Sequence, residues 1–155
     1  MALKSDRYEL QTDISFFCNS ELTRGQVVVM NDGTGTGAAM DQGVAVVKAE
    51  AGDSDSVPAG ILLNDVVDKD LTRTHLNQHK DEVQKGGKVT VLRKGYVVTN
   101  DIETGVNPAV GAPAYLSAAE AGKLATTGAT ENLLVGRFLS GKDADGYAKV
   151  EVNLP

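Results

Sequence analysis

From Tyr147 to Leu154 the chain alternates without a break: Ala148, Val150, Val152 and Leu154 fall on one side, Tyr147, Lys149, Glu151 and Asn153 on the other. A side-chain period of two is the geometry of a strand, and an apolar set on one side only marks a strand that covers a core with one face and meets water with the other. The run Leu133 to Leu139 before it is apolar and β-compatible. Between them, Ser140 to Gly146 consists of residues that turn a chain cheaply. The two segments predict a β-hairpin that closes the domain.

The rest of the chain agrees with that start. At 155 residues the length suits one domain, large enough to bury roughly 68–70% of its unfolded surface. Aromatic residues make up only 5%, Trp is absent and there are 17 Gly, so the core must be built from Val, Leu, Ile and Ala threaded with turns. That favours many short strands. The formal charge of -6 repels phosphate backbones and anionic lipid, which argues against nucleic acid and membrane surfaces as partners. A single cysteine, Cys18, cannot form an internal disulfide and reads as a small buried side chain. No apolar stretch approaches a signal peptide or the ~20 residues that span a bilayer, so the expected site of synthesis is the cytosol.

Taken in order, residues 1–13 are mixed polar with isolated Leu3, Tyr8 and Leu10, a pattern that cannot bury a face by itself. The segment reads either as a frayed terminus or as an extended N-terminal arm that docks its three apolar anchors on a neighbouring chain. Residues 14–155 form the single domain. Ile14 to Cys18 is a candidate first strand; Gln26 to Met30 and Val44 to Lys48 are β-branched runs joined by a flexible loop; Val57 to Leu63 follows, with Pro58 near its start, where a missing N–H is tolerated. Residues 64–87 break the rhythm. They are polar, with Leu71, Leu76 and Val83 as a thin stripe at near-helical spacing before Gly86 and Gly87, and predict one long loop with room for a short helix, the kind of excursion that carries contacts with partners. Lys88 to Thr99 restores the alternation, with Gly95 marking either a tight hairpin or a bulge in one long strand. The spacing is that of an all-β domain.

Candidate reaction centres fail on geometry. The run Gly33 to Ala38 satisfies a dinucleotide fingerprint literally, with Asp53 and Asp55 near its acidic position, but only Ala38 to Gln42 precede the next β-branched run. The helix whose N-terminus would face a pyrophosphate has no room. Asp143, Asp145 and Gly146 resemble the opening of a calcium loop, yet Tyr147 and Leu154 stand where further oxygen ligands are required. A hairpin turn explains them better, and an ion held by Asp143 and Asp145 together with Asp53 and Asp55 stays open. His75 and His79 are four apart but lack a third zinc ligand, and no nucleophile elbow accompanies any serine. The chain is therefore expected to be no enzyme, with no catalytic residue, cofactor or metal.

In the C-terminal third, Gly111 to Ser117 with Pro113 and Tyr115, then Gly122 to Thr126, Leu134 to Arg137 and Asp145 to Val152 succeed one another, and Val57 to Ile61 gives an earlier Pro-x-Gly-Ile step. This series resembles the small capsid decoration, or cement, proteins of tailed bacteriophages. The resemblance implies a small β-barrel or β-tulip domain, a homotrimer on the outer surface of a phage head, and the major capsid protein as partner. It implies a structural virion protein, made in the host cytoplasm, that stabilises contacts between capsid subunits. Leu3, Tyr8 and Leu10 of the arm, with Leu71 and Leu76 of the polar excursion, become the capsid or subunit contact candidates. A carbohydrate-binding or adhesive β-module is the alternative; it would show exposed aromatic residues for stacking on sugars, whereas the four Tyr and three Phe here are scattered.

Overall fold

The computed structural model describes residues 4, 6–14, 16–18, 22–31, 46–63, 82–83, 89–128, 130 and 133–155. Twelve strands follow one another among them: β1 Tyr8–Asp13, β2 Phe17–Cys18, β3 Leu22–Thr23, β4 Val27–Asn31, β5 Val46–Lys48 and β6 Pro58–Leu62; then β7 Glu82–Val83, β8 Val91–Thr99, β9 Pro113–Leu116, β10 Leu124–Ala125, β11 Leu134–Phe138 and β12 Ala148–Asn153. Ten of them share one curled sheet. Its main path runs β10-β9-β11-β12-β8-β6-β4-β5-β2, with β1 attached to β8, while β3 and β7 pair apart. The pairings are antiparallel except for β2 beside β5. The expected all-β domain is present, as an open half-barrel.

The predicted closing hairpin is β11 with β12, in register Gly136↔Val152, Arg137↔Glu151 and Phe138↔Val150. Ala148, Val150, Val152 and Leu154 are buried, each at 4% exposure or less, as the period of two requires. The turn between the strands closes on Asp143. Its Oδ1 accepts the N–H groups of Asp145 and Tyr147 at 2.9 Å each, and the Asp143 carbonyl accepts from Gly146. A carboxylate bonded to its own following backbone is what makes Asp an economical turn residue.

Two kinds of strand explain two kinds of sequence. β12 covers one core and shows water its other face, so it alternates. β4 and β6 are buried on both faces: Val27, Val29, Ile61 and Leu63 enter the main core with Phe138 and Leu116, while Val28, Ala59 and Leu62 enter a second core with Leu22, Val47 and Val91. Strands covered on both sides read as unbroken apolar runs, and Val27 to Val29 and Ile61 to Leu63 are such runs.

β8 is the strand that both halves share. Over Lys94–Thr99 it pairs with β12, at Val91 and Leu92 with β6, and along its remaining edge with β1. Gly95 lies within one long strand and not at a hairpin, and the bulge beside it belongs to β1, whose register shifts between Glu9 and Gln11 and leaves Leu10 as the extra residue. Gly95 has φ +142°, and a Cβ there would fall on the Tyr8 carbonyl oxygen. Only glycine admits β1 this closely.

Residues 64–81 and 84–88 lie outside the described residues, so the expected short helix has no structural counterpart to report. The part of that excursion that is described, Glu82–Val83, is extended and pairs with Leu22 and Thr23.

Candidate functional surface

The side of the sheet turned away from the main core is where the N-terminal segment lies. Tyr8 to Gln11 and Thr12 are exposed on β1, and Asp13 is half-buried. A strand that buries neither face has no apolar period, which is why residues 8–13 look patternless in the sequence. Backbone pairing to β8 and contacts at the surface hold them.

Those contacts fall in a line along the arm. The Lys4 N–H donates to the Val98 carbonyl at 3.0 Å. Its Nζ donates to Asp143 Oδ2 at 2.8 Å and stands 4.4 Å from the centre of the Tyr147 ring. Asp6 lies 3.9 Å from Lys149 Nζ, and that ammonium sits 3.9 Å over the ring of Tyr96. Tyr8 stacks on the same Tyr96, centroids 5.9 Å apart and planes 28° apart. Tyr96 thus has a cation and an aromatic ring upon it, arrangements favoured by the negative faces of its π-system.

The electrostatics follow the geometry. The hydrogen bond from Lys4, reinforced by the N–H groups of Tyr147 and Asp145, holds the Asp143 carboxyl below its ordinary value, and the same bond raises Lys4. Both groups are open to solvent, so salt screens the pair. In the loop after β5, Asp53 is lowered by the N–H of Asp55 and by the Ser56 hydroxyl. Of the four carboxylates left open as ion ligands, those of Asp53 and Asp143 are engaged in turns of their own chain, to which Asp55 and Asp145 contribute backbone N–H groups. No cluster of three His, Cys, Asp or Glu side chains with metal-binding geometry occurs among the described residues.

Two shallow grooves join across this face. One is lined by Tyr8, Leu10, Tyr96 and Leu139 with Glu151 and Asn153; the other runs from those last two residues to Leu134 and Arg137. Tyr8 at 53%, Leu10 at 66%, Leu134 at 44% and Leu139 at 38% exposure supply apolar area at its borders. Of the contact candidates, Tyr8 and Leu10 are therefore brought onto one surface, while Leu3, Leu71 and Leu76 lie outside the described residues. Tyr96, Lys149, Leu134 and Leu139 belong to the same face and were not singled out from sequence. Their only signal is position: outward-pointing residues of half-buried strands read as ordinary solvated side chains until the strand order sets them beside the arm.

One titratable group elsewhere is out of place. Asp101 follows β8, its Oδ2 buried without a hydrogen-bond partner. Burial pushes its carboxyl from an ordinary 3.8 up to about 6, against a smaller opposing pull from Lys123. The folded chain thus holds this proton more tightly than the unfolded chain does. The resulting stability is full below about pH 4 and is lost as pH rises through 6. Asp101→Asn keeps the shape and removes the charge, so it should stabilise the protein by about 1–2 kcal/mol at pH 7.5, after discounting for the group's partial exposure, and change little at pH 4. Melting curves at the two pH values check this; an equal shift at both would refute the assignment to burial.

The fold is shared with a chain in the solved structure described as "The capsid of Myoviridae Phage XM1", with a TM-score of 0.59 at 16% identity, covering 92% of this chain and 82% of that one. No curated protein sequence matches at a significant level. Residues 7–153 match the family model described as "Structural cement protein (E217 gp24/Pam3 gp6)", a span that takes in the arm strand as well as the half-barrel. The chain belongs to this family of phage structural cement proteins. Its role is structural and capsid-stabilising, in the virion. No helix among the described residues is long and apolar enough to cross a membrane.

Proposed function

We propose that the protein sits on the outer surface of a phage head and clamps neighbouring major capsid protein subunits, using the face formed by β1, β8, β12 and β11. The observation that carries this reading is the arm itself: within a cement-family chain, a six-residue strand, Tyr8–Asp13, adds to the domain while leaving Tyr8 and Leu10 in solvent. Side chains that contribute nothing to their own core are free to enter a partner's. Leu3, Leu71 and Leu76 extend the same contact set, and residues 14–155 serve as the platform. A homotrimer at three-fold or quasi-three-fold positions would repeat the face around each axis. Each contact can then be weak, because many copies act together on a lattice.

The test is stoichiometric co-sedimentation with expanded and unexpanded heads of the phage that encodes the protein. The intact chain should saturate expanded heads, whereas a chain lacking residues 1–13 should lose at least tenfold in affinity. Failure of the intact chain to attach removes the reading, and full attachment of the truncated chain removes the arm from it. Sedimentation equilibrium of the free protein reports the trimer.

A further inference from the structure

We infer that β1, with Lys4 and Asp6 before it, is an exchangeable strand, and that in the associated protein it lies on β8 of a neighbouring copy of this chain. The inference rests on the self-association proposed above and not on attachment to a capsid.

The burial profile changes abruptly where the arm begins. Ile14 is 55% exposed, but Phe17 is 7% exposed and Phe16 packs against the second core, where its carbonyl accepts the Val89 N–H. Phe16 and Phe17 are thus anchored in the domain. Before them, no side chain from Arg7 to Ile14 is buried. Local opening follows such boundaries, since a segment with few buried apolar contacts separates at a small fraction of the global stability.

What holds the arm is as available in trans as in cis. Its partners are the β8 edge, Tyr96, Lys149 and the Asp143 turn, all on the surface of the domain. Every one of these contacts is reproduced identically when the arm of a second copy lies there, which is the condition for strand exchange at little cost. Three residues, 14–16, separate β1 from β2, and a short connection is the kind of hinge at which exchange begins. With residues 4–13 laid along the neighbour's β8, only residues 14–16 bridge the copies, a reach of about 10–11 Å, so exchange requires the neighbour's β8 edge to lie close beside the start of β2.

Exchange also answers what happens to β8 when its own arm leaves. An empty edge is a row of unpaired N–H and C=O groups that recruits another strand, and Gly95, without a Cβ, leaves room there for the close approach of the Tyr8 carbonyl. A head-to-tail exchange, each copy donating to the next, closes a ring of three; a reciprocal one closes a pair.

The test mixes two full-length variants of different tag length, both carrying Cys18→Ala, one with Tyr8→Cys and the other with Tyr96→Cys. Tyr8 and Tyr96 are register partners, so a disulfide joining the two variants can form only across copies. Under mild oxidation at a concentration where the protein is associated, at least a third of the chains should appear as the mixed product. The double variant Tyr8→Cys/Tyr96→Cys in one chain, oxidised when dilute, must close within the chain and shows that the geometry is competent; Lys4→Cys with Asp143→Cys is the second pair if it does not. Closure within the dilute chain but no mixed product in the associated protein overturns the exchange. So does a protein that stays monomeric throughout. Head attachment is scored separately with the wild-type chain, so loss of the capsid reading and loss of the exchange give different results.

Discussion

Phe138→Ala is expected to destabilise the protein by about 3–5 kcal/mol, the range for deleting a fully buried aromatic side chain. Phe138 is the largest fully buried side chain of the described residues and sits in the main core from the end of β11. Its backbone is fixed as well: the N–H donates to the Ala112 carbonyl, and its own carbonyl accepts from Gly111, at 2.8 Å each. The surrounding chain is thus poorly placed to collapse into the space. For a domain of this length the loss corresponds to a fall of about 6–20 °C in melting temperature. Urea unfolding measures it, and a loss below 1 kcal/mol would mean that the half-barrel does not enclose a packed interior at this end.

Gly60→Val is expected to cost about 4 kcal/mol through a different mechanism, and to leave little folded protein at 37 °C. Gly60 lies in β6 with φ +152°, and a Cβ there would fall on the Leu92 carbonyl oxygen of β8. The substitution adds backbone strain of about 1–3 kcal/mol to overpacking of similar size. It does so at the junction between the two cores. Circular dichroism and soluble yield report the outcome, and a variant as stable as the parent would show that β6 and β8 are not in the register Ile61↔Leu92.

These two sites also show what sequence reading reaches and where it stops. The closing hairpin was legible because β12 has one wet face, so its period of two is written in full. β4 was legible as a strand from its β-branched run and β6 from the apolar stretch Val57 to Leu63, but neither as a strand buried on both sides, since an unbroken apolar run does not say what covers it. The Pro58 to Ile61 step could be recognised as a motif, whereas the need for glycine within it appears only when β8 is laid alongside. The arm strand was the hardest. Its side chains enter no core, so its strand conformation depends on pairing with an edge more than 80 residues away in sequence, Tyr8 to Tyr96, and no local pattern encodes that. For the same reason Tyr8 and Leu10 could be picked out as unexplained apolar residues, while Tyr96 and Lys149 beneath the arm could not.

The position of β8 has a consequence for biosynthesis. Its hydrogen-bond partners lie far apart in sequence, β1 at Tyr8–Asp13 and β12 at Ala148–Asn153. In a nascent chain emerging at about 5–20 residues per second, β1 has no edge to pair with until β8 has been made. Pairings between segments so far apart in sequence place folding on the millisecond-to-second scale. A chain that stops before β12 leaves the β8 edge over Lys94–Thr99 unpaired, a row of N–H and C=O groups open to strands of other molecules.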